Sequence, residues 1–337
     1  MDHYANHINN PIVSICVITF NSSKFVTETL NSAYNQTYQN IELIISDDCS
    51  IDNTLEICRK WIDENGSRFV RCVILTSIKN EGVTINCRKS VEVSNGVFLK
   101  HIAADDTLCP NCIKDNVNFC MTHPSAQIVH SVSYVYRNII NKENFLEIRN
   151  GAPHIFLSDK IQANDQYKYL LRHFIISTPT LFLKKDLYNI YDYDVEIRDI
   201  EDVPFVLNLT RNGIKIWFMN IHTVNYRIHD DSICHNKQPG RIYSRYFIKR
   251  RVVNKKYILP YINPIEKIFM HFEYCRTKFI TNHNLDSNTL LVRLFLYLTR
   301  LPFRMFVFYD RRIMHCYISR KYKKQGRLKL TNMNINT

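Results

Sequence analysis

A short apolar segment runs directly into two adjacent carboxylates, and this arrangement constrains the chain more than any other feature. Residues 96–103 read Gly-Val-Phe-Leu-Lys-His-Ile-Ala, and Asp105 and Asp106 follow after one further residue. Two neighbouring carboxylates at the end of a buried strand repel each other unless a cation lies beside them. Mg²⁺ or Mn²⁺ holding a phosphate suits these hard oxygen ligands. The alternative is a solvated turn in which either Asp caps the following helix.

Residues 11–106 alternate between apolar runs and segments of helical length. Buried strands are predicted from the apolar runs at residues 11–19, 41–46, 69–76 and 97–103. The helices predicted between them cover residues 24–36, 54–63 and 83–94. Such alternation is typical of an open α/β sheet, in which ligands bind at the carboxyl ends of the strands. The polar residues that should meet at this edge are Thr19, Asn21, Asp47, Asp48, Asp105 and Asp106.

Charge divides the chain into two parts. Residues 1–234 carry 22 Lys and Arg against 27 Asp and Glu, whereas residues 235–337 carry 22 against 4. The acidic part suits metal chemistry, and the basic part suits an anionic partner, either membrane lipid or nucleic acid. We expect the two parts to form separate surfaces. Only 7 of the 337 residues are Gly, which argues against a Gly-rich phosphate loop.

The basic part contains a long apolar stretch that is interrupted by charge. Three arginines and a proline interrupt residues 290–309, which argues against a membrane-spanning helix. At about 100° per residue, one stripe about 40° wide contains Arg293, Arg300, Arg304 and Arg311. This pattern is typical of an interfacial membrane helix, although Pro302 is expected to kink the helix and so divide the stripe. The alternative is a helix packed on the rest of the protein. Residues 321–329 would extend the basic patch, and residues 331–337 are expected to be disordered.

Six segments, in their order and spacing, resemble the landmarks of family 2 glycosyltransferases. The opening strand and the second strand with its acidic turn carry part of the resemblance. The strand that leads to Asp105 and Asp106 resembles the approach to the DXD-type metal motif of the family. The six segments are residues 13–21, 42–54, 80–83, 96–106, 201–205 and 226–229. The resemblance thus covers about residues 11–235, which are expected to form the catalytic domain.

The resemblance implies a GT-A fold and transfer of a sugar from a nucleotide-sugar with inversion. This fold is an α/β, Rossmann-like, mostly parallel sheet flanked by helices, and here residues 236–330 would add a basic helical extension. Residues 11–106 would form the nucleotide-binding half and residues 107–235 the acceptor half, after an N-terminal tail at residues 1–10. A UDP-linked donor is implied, with Mn²⁺ or Mg²⁺ to neutralise the leaving diphosphate.

The resemblance also gives roles to residues on the nucleotide and acceptor sides. Asp48 would hydrogen-bond the base, and Thr19 and Asn21 would line the nucleotide pocket. A general base must be anionic and lie beside the acceptor hydroxyl. Asp202, at the start of a buried helix, is the expected base, and Glu201 is the alternative.

The metal ligands implied by the resemblance are Asp106 and Asp105, with His229 as a further candidate, and Asp105 would also contact the ribose. Ala103 stands where the family usually has the first Asp of its motif, so the division of labour between the two carboxylates stays open. A zinc site is a minor alternative elsewhere in the chain, because the cysteine spacing also permits one. Its ligands would be Cys109, Cys112, Cys120 and His123.

The leading interpretation is an inverting glycosyltransferase on the cytoplasmic face of the cell membrane. It would extend a lipid-linked glycan in bacterial surface polysaccharide biosynthesis (O-antigen or capsule), with its basic extension on an anionic membrane and no nucleic acid partner. The first residues do not resemble a signal peptide, so the 11 cysteines are expected to be reduced.

Two alternatives belong to other classes. A nucleotidyltransferase acting on a sugar phosphate would need a Gly-rich, basic first turn, which residues 20–23 lack. A non-enzymatic protein that binds membrane or RNA would leave the acidic residues without a role.

Overall fold

The computed structural model describes residues 10–149, 154–156, 158, 160–230, 232, 242–243 and 245–323, and within them nine strands form one mixed sheet. The strands are β1 (Val13–Thr19), β2 (Ile41–Asp47), β3 (Arg71–Thr76), β4 (Phe98–Ala103), β5 (Thr107–Leu108), β6 (Ile128–Arg137), β7 (Phe145–Arg149), β8 (Phe182–Lys184) and β9 (Ile216–Ile228). Their order across the sheet is β3-β2-β1-β4-β8-β6-β9-β5, and β7 pairs with β6. The tails predicted at residues 1–10 and 331–337 lie outside the described residues, apart from Asn10.

The helices follow the predicted alternation. They are α1 (Val26–Tyr34), α2 (Thr54–Asn65), α3 (Val83–Val93), α4 (Cys112–Thr122), α5 (Ala163–Leu170), α6 (Asp186–Ile190), α7 (Asp202–Arg211), α8 (Arg245–Val253), α9 (Pro264–Asn282) and α10 (Leu290–Lys323). From β1 to β4, every predicted boundary lies within two residues of the observed one. The predicted α/β sheet flanked by helices is therefore confirmed.

Three parallel strands at the centre of the sheet explain why distant polar residues meet. β1 pairs in parallel with β2 on one side and with β4 on the other. Their sequences are nearly continuous apolar runs because both faces of the sheet are covered. The register pairs Thr19 with Asp47 and Ile18 with Ala103, so the three strands end together. We call this row of carboxyl ends the site edge.

The second half of the sheet brings further side chains to the site edge. β8 is antiparallel to β4, β6 is antiparallel to β8, and β9 is parallel to β6. β6 and β9 therefore run in the same direction as β4. β9 is one long strand, although its register with β6 shifts on both sides of Val132. These irregularities accommodate three extra residues of β9, two of them within residues 219–221 and the third at Thr223, and β9 then carries Arg227 to the site edge.

The C-terminal helices pack on the sheet domain through paired charges. Ion pairs join Lys249 to Asp199, Lys256 to Asp194 and Lys321 to Asp165. The expectation of separate acidic and basic surfaces is therefore wrong, because acids of the sheet domain are the partners of the basic helices. α10 continues through Pro302, and the kink predicted there stays a prediction. None of the helices in the described ranges has both the length and the apolar character needed to cross a bilayer.

Candidate active site

Asp105 and Asp106 follow β4 but lie in different surroundings. Asp106 is 1% exposed, and its Oδ1 accepts a 2.8 Å hydrogen bond from the backbone N–H of Arg227. Its Oδ2 is buried and has no hydrogen-bond partner among the described residues. Asp105 is more open, and its Oδ2 lies 2.9 Å from His229 Nε2. Burial, with the charge of Asp105 as a second cause, raises the pKa of Asp106 well above its ordinary value.

The donor atoms that a divalent ion could use here are Asp106 Oδ2, Asp105 Oδ2 and His229 Nε2. Over the described ranges, no group of three or more His, Cys, Asp or Glu side chains is placed to hold a metal ion by itself. These three atoms would therefore supply only part of a coordination shell. Such a shell fits an ion of the Mg²⁺ class, which commonly takes one or two carboxylates and completes its ligands with substrate phosphates and water.

The positions of the candidate zinc ligands do not favour a zinc site. Cys109 Sγ lies 3.6 Å from His222 Nε2, and the ring of His123 stacks on Phe119. Burial raises the pKa of Cys109 and of Cys120 to about 12, so neither is prepared as a thiolate ligand. The ten cysteines in the described part of the chain form no disulfide among themselves.

Arg227 holds the acidic pair in place, a role that the sequence did not reveal. Its Nε donates to the Asp105 carbonyl at 2.7 Å, and another guanidinium nitrogen donates to the Asn138 carbonyl at 2.6 Å. A third nitrogen pairs with Glu28 of α1. The guanidinium also lies 4.4 Å from the ring of Phe25, a ring that contacts His229. Arg227 thereby fixes the Asp106 carboxylate through its backbone N–H, the Asp105 main chain through its side chain, and one wall of the site.

A cavity of about 420 Å³ opens beside this cluster. Its lining comes from the start of α1, the turn after β6 and the end of β9. The lining residues include Lys24, Phe25, Glu28, Asn138, Arg227 and His229. The cavity gives a substrate group access to the side of the site that carries His229.

The residues expected to bind the nucleotide organise the loops at the ends of β1 and β2. Both oxygens of Asp48 accept 2.7 Å hydrogen bonds, from the backbone N–H groups of Glu81 and Gly82. Thr19 donates to Asp47 at 2.7 Å, and Asn21 accepts from the Ile51 N–H at 2.9 Å. These bonds place Asp48, Thr19 and Asn21 along the site edge. Their contacts with a nucleotide stay predictions.

Asp202 begins α7, as predicted, and its carboxylate is held on both sides. Oδ1 accepts from the Val203 N–H at 2.8 Å, and Oδ2 accepts from the hydroxyl of Thr178. Burial, with Asp202 as a second cause, raises the pKa of the adjacent Glu201 to about 8. At neutral pH Glu201 is therefore largely protonated, which is unfavourable for a base.

Lys100 connects the acidic pair to Asp202. This residue of β4 is completely buried, and its ammonium donates to the carbonyls of Pro179, at 2.6 Å, and Leu181, at 3.4 Å. The turn Thr178–Thr180 is thereby anchored to the strand that leads to Asp106, and Thr178 in turn holds Asp202. Burial lowers the pKa of Lys100. A lysine inside an apolar strand was the sequence signal for this role.

Comparisons with known proteins agree with this architecture. The sequence profile described as "Glycosyl transferase family 2" matches residues 14–191. The chain is 27% identical over 228 residues to an Escherichia coli protein, the UDP-Glc:alpha-D-GlcNAc-diphosphoundecaprenol beta-1,3-glucosyltransferase WfaP, covering 67% of this chain and 81% of that protein. It is 25% identical over 231 residues to the putative teichuronic acid biosynthesis glycosyltransferase TuaG of Bacillus subtilis, covering 67% and 83%.

The fold is similar to that of a solved bacterial structure. The crystal structure of S. aureus TarS 1-349 in complex with UDP-GlcNAc superposes with a TM-score of 0.55. The sequences are 18% identical, and the match covers 83% of this chain and 77% of that chain. A likeness at this identity establishes the fold, and the expected GT-A architecture is confirmed.

Proposed function

Since this chain belongs to glycosyl transferase family 2, we propose that it is an inverting, hexosyl-type enzyme of surface polysaccharide biosynthesis. It would transfer a sugar from a UDP-linked donor to a hydroxyl of a lipid-linked glycan, as in O-antigen or capsule assembly. The printed activity of the Escherichia coli relative, with UDP-Glc and a diphosphoundecaprenol acceptor, supports this choice. Family membership also favours glycosyl transfer over nucleotidyl transfer and over a non-enzymatic role.

One observation carries the chemical part of the proposal. Asp106 keeps a buried carboxylate oxygen for which the described residues provide no hydrogen bond, beside Asp105 and His229. An uncompensated buried carboxylate is unfavourable unless a cation approaches it. We assign Asp106 and Asp105, with His229 as a possible third ligand, to Mn²⁺ or Mg²⁺. The ion would neutralise the charge that develops on the leaving diphosphate.

On the donor side, Asp48 would accept a hydrogen bond from the uracil base with the lone pairs that Glu81 and Gly82 leave over. Thr19 and Asn21 would line the same pocket, and Asp105 would reach the ribose. Support comes from their common position on the site edge, where the parallel strands β1, β2 and β4 end.

On the acceptor side, Asp202 would act as the general base. It would take the proton of the acceptor hydroxyl while that oxygen bonds to the anomeric carbon, on the face opposite the diphosphate. The bond between the anomeric carbon and the diphosphate oxygen breaks, and UDP leaves with the electron pair. The hydrogen bond from Thr178 orients the Asp202 carboxylate for this step.

We further propose that the enzyme works in the cytoplasm, peripherally on the inner face of the cell membrane. Its basic C-terminal region would contact anionic lipid there, and we expect no nucleic acid partner. The lipid-linked acceptor of the proposed reaction supports this location, because the acceptor itself resides in the membrane.

A panel of nucleotide-sugars tests the proposed function. Purified protein is melted with UDP-Glc, UDP-GlcNAc, UDP-Gal or GDP-mannose, with Mn²⁺, Mg²⁺ or a chelator. A UDP-sugar with metal should raise Tm by about 3–6 °C, and the chelator should abolish the rise. Equal stabilisation in chelator would contradict the metal assignment. Stabilisation by the GDP-sugar alone would mean that the donor is GDP-linked and not UDP-linked. The combination that stabilises the protein should also show slow hydrolysis of the nucleotide-sugar.

A further inference from the structure

The outward side of α10 is apolar over most of its length. Among the described side chains of α10, ten large apolar ones are at least half exposed, and six of them share one side of the helix: Leu291, Leu294, Leu298, Met305, Phe308 and Tyr309. At 3.6 residues per turn they fall within an arc of about 100° and extend along about 27 Å of helix. We call this strip the outer face. A contiguous exposed apolar strip of this size is uncommon on a monomeric soluble protein and indicates an interaction surface.

The opposite side of α10 is already covered by the protein. Ile318 and Tyr322 are fully buried, and the ring of Phe306 stacks at 4.4 Å on Phe269 of α9. Arg300, which belonged to the predicted arginine stripe, turns towards Glu273 of α9 at 3.2 Å. α10 is therefore fixed by one side, and its outer face remains open.

Charge beside the outer face defines what could cover it. Arg304 and Arg312 are exposed, and each places its guanidinium within 5 Å of an aromatic ring of the same helix. Asp310 is the only acidic residue between residues 290 and 323, and it contacts Arg172 and His173 on the packed side. The partner should therefore be apolar and also anionic, and arginines that border apolar side chains suit the headgroup level of a bilayer.

We propose that the outer face of α10 is the surface on which this protein lies against an anionic lipid bilayer, with the helix parallel to the membrane plane. The apolar side chains would enter the acyl boundary, and the bordering arginines would meet lipid phosphates. This inference rests on the proposed function, in which the acceptor is lipid-linked. It replaces the predicted arginine stripe by an apolar face with cationic borders.

The test is vesicle flotation of the full chain. Vesicles contain phosphatidylcholine with about 30% phosphatidylglycerol, or phosphatidylcholine alone. The wild type should float with the anionic vesicles, and the double variant Leu294→Glu/Leu298→Glu should bind at least about tenfold more weakly. Val70→Glu/Val97→Glu is the matched control, because it places two acids at exposed apolar positions of the sheet domain. This control should float like the wild type.

Two outcomes would overturn the assignment. One is equal flotation of the wild type and the α10 double variant. The other is a wild type that forms dimers without lipid and becomes monomeric in the double variant, which would make a second copy of the chain the occupant. Donor hydrolysis without vesicles is measured in parallel and should be equal in both proteins. Loss of flotation in the α10 double variant with normal hydrolysis would support membrane binding by the outer face. Absent hydrolysis in the wild type would contradict the proposed function.

Discussion

Two pairs of consecutive acidic residues, Asp105 with Asp106 and Glu201 with Asp202, differ in the hydrogen bonds that their carboxylates accept. Asp106 keeps a buried oxygen to which no described side chain or backbone group donates, whereas both oxygens of Asp202 accept a hydrogen bond. Donated hydrogen bonds stabilise a carboxylate charge without any ion. A buried carboxylate that lacks them is unfavourable as an anion, so it either pairs with a cation or takes up a proton, as the raised pKa of Asp106 indicates. Under the proposed mechanism, the same type of side chain would bind a cation at Asp106 and accept a proton at Asp202.

The largest effect is expected from Asp106→Asn. The amide keeps the size of the side chain but removes the charge, so kcat/KM should fall by about 10³-fold. The stabilisation of the protein by UDP with Mn²⁺ should disappear as well, as measured by thermal unfolding. Asp186→Asn, at an exposed position that begins α6, is the control and should be silent. If Asp106→Asn is still stabilised by UDP with Mn²⁺, Asp106 is not the metal ligand that distinguishes this pair from Glu201 and Asp202.

Asp202→Asn should produce a loss of a different kind. Transfer to the acceptor should fall by about 10²–10³-fold, whereas UDP with Mn²⁺ should still raise Tm as in the wild type. Glu201→Gln should cost less than about tenfold in transfer, because Glu201 is largely protonated at neutral pH. If Glu201→Gln is the more damaging change, the base is Glu201.

Arg227→Lys should weaken the binding of Mn²⁺. A lysine keeps the charge but cannot reach the Asp105 carbonyl, the Asn138 carbonyl and Glu28 together. The Mn²⁺ concentration for half-maximal binding in the presence of UDP, measured by spin resonance of free Mn²⁺, should rise about 10–100-fold.

Arg172→Lys is the matched control for this change. Arg172 is also largely buried and pairs with Glu266 at 2.5 Å, between the sheet domain and α9. Both variants should lose some thermal stability, but only Arg227→Lys should change Mn²⁺ binding. Identical Mn²⁺ binding in the two variants would reduce Arg227 to a packing role.

The smallest effect concerns pH and stability. The raised pKa of Glu201, about 8 against an ordinary 4.5, means that the folded state binds a proton that the unfolded state has released between these values. Stability must therefore fall as pH rises through this window, because ionisation of Glu201 is unfavourable only in the folded state. Between pH 6 and 9, Tm of Glu201→Gln should decline less than Tm of the wild type. Parallel declines would contradict the raised pKa.

The central sheet was predictable because the burial of each strand is visible in consecutive residues of the sequence. A strand buried on both faces is largely apolar, so β1 and β2 are visible as segments rich in Val, Ile and Leu, and β4 as an apolar segment around Lys100 and His101. Parallel pairing then places Thr19, Asp47 and Ala103 at one edge without any knowledge of loops. The same rule placed Asp202 at the start of α7, since a polar residue there precedes a fully buried segment.

The rest depended on contacts between distant parts of the chain. Arg227 and Glu28 are 199 residues apart, and no periodicity announces their pairing. The composition shows that the C-terminal helices are basic, but it does not identify the partners of these charges. Asp199 and Asp165 lie beside Lys249 and Lys321 only in the folded chain. Likewise, the side of α10 that faces solvent is decided by Phe269 and Glu273 of α9 and not by the arginine pattern.

The buried Lys100 has a consequence for recombining this enzyme with its relatives. Exchange of residues 107–235 would be the obvious way to change the acceptor while keeping the donor. The ammonium of Lys100 donates to main-chain carbonyls, so it imposes a backbone shape on the incoming turn and places few demands on its side chains. A chimera should therefore tolerate sequence change in the turn Thr178–Thr180, provided that the turn keeps its length and the Thr178 hydroxyl that holds Asp202, and that Lys100 is retained.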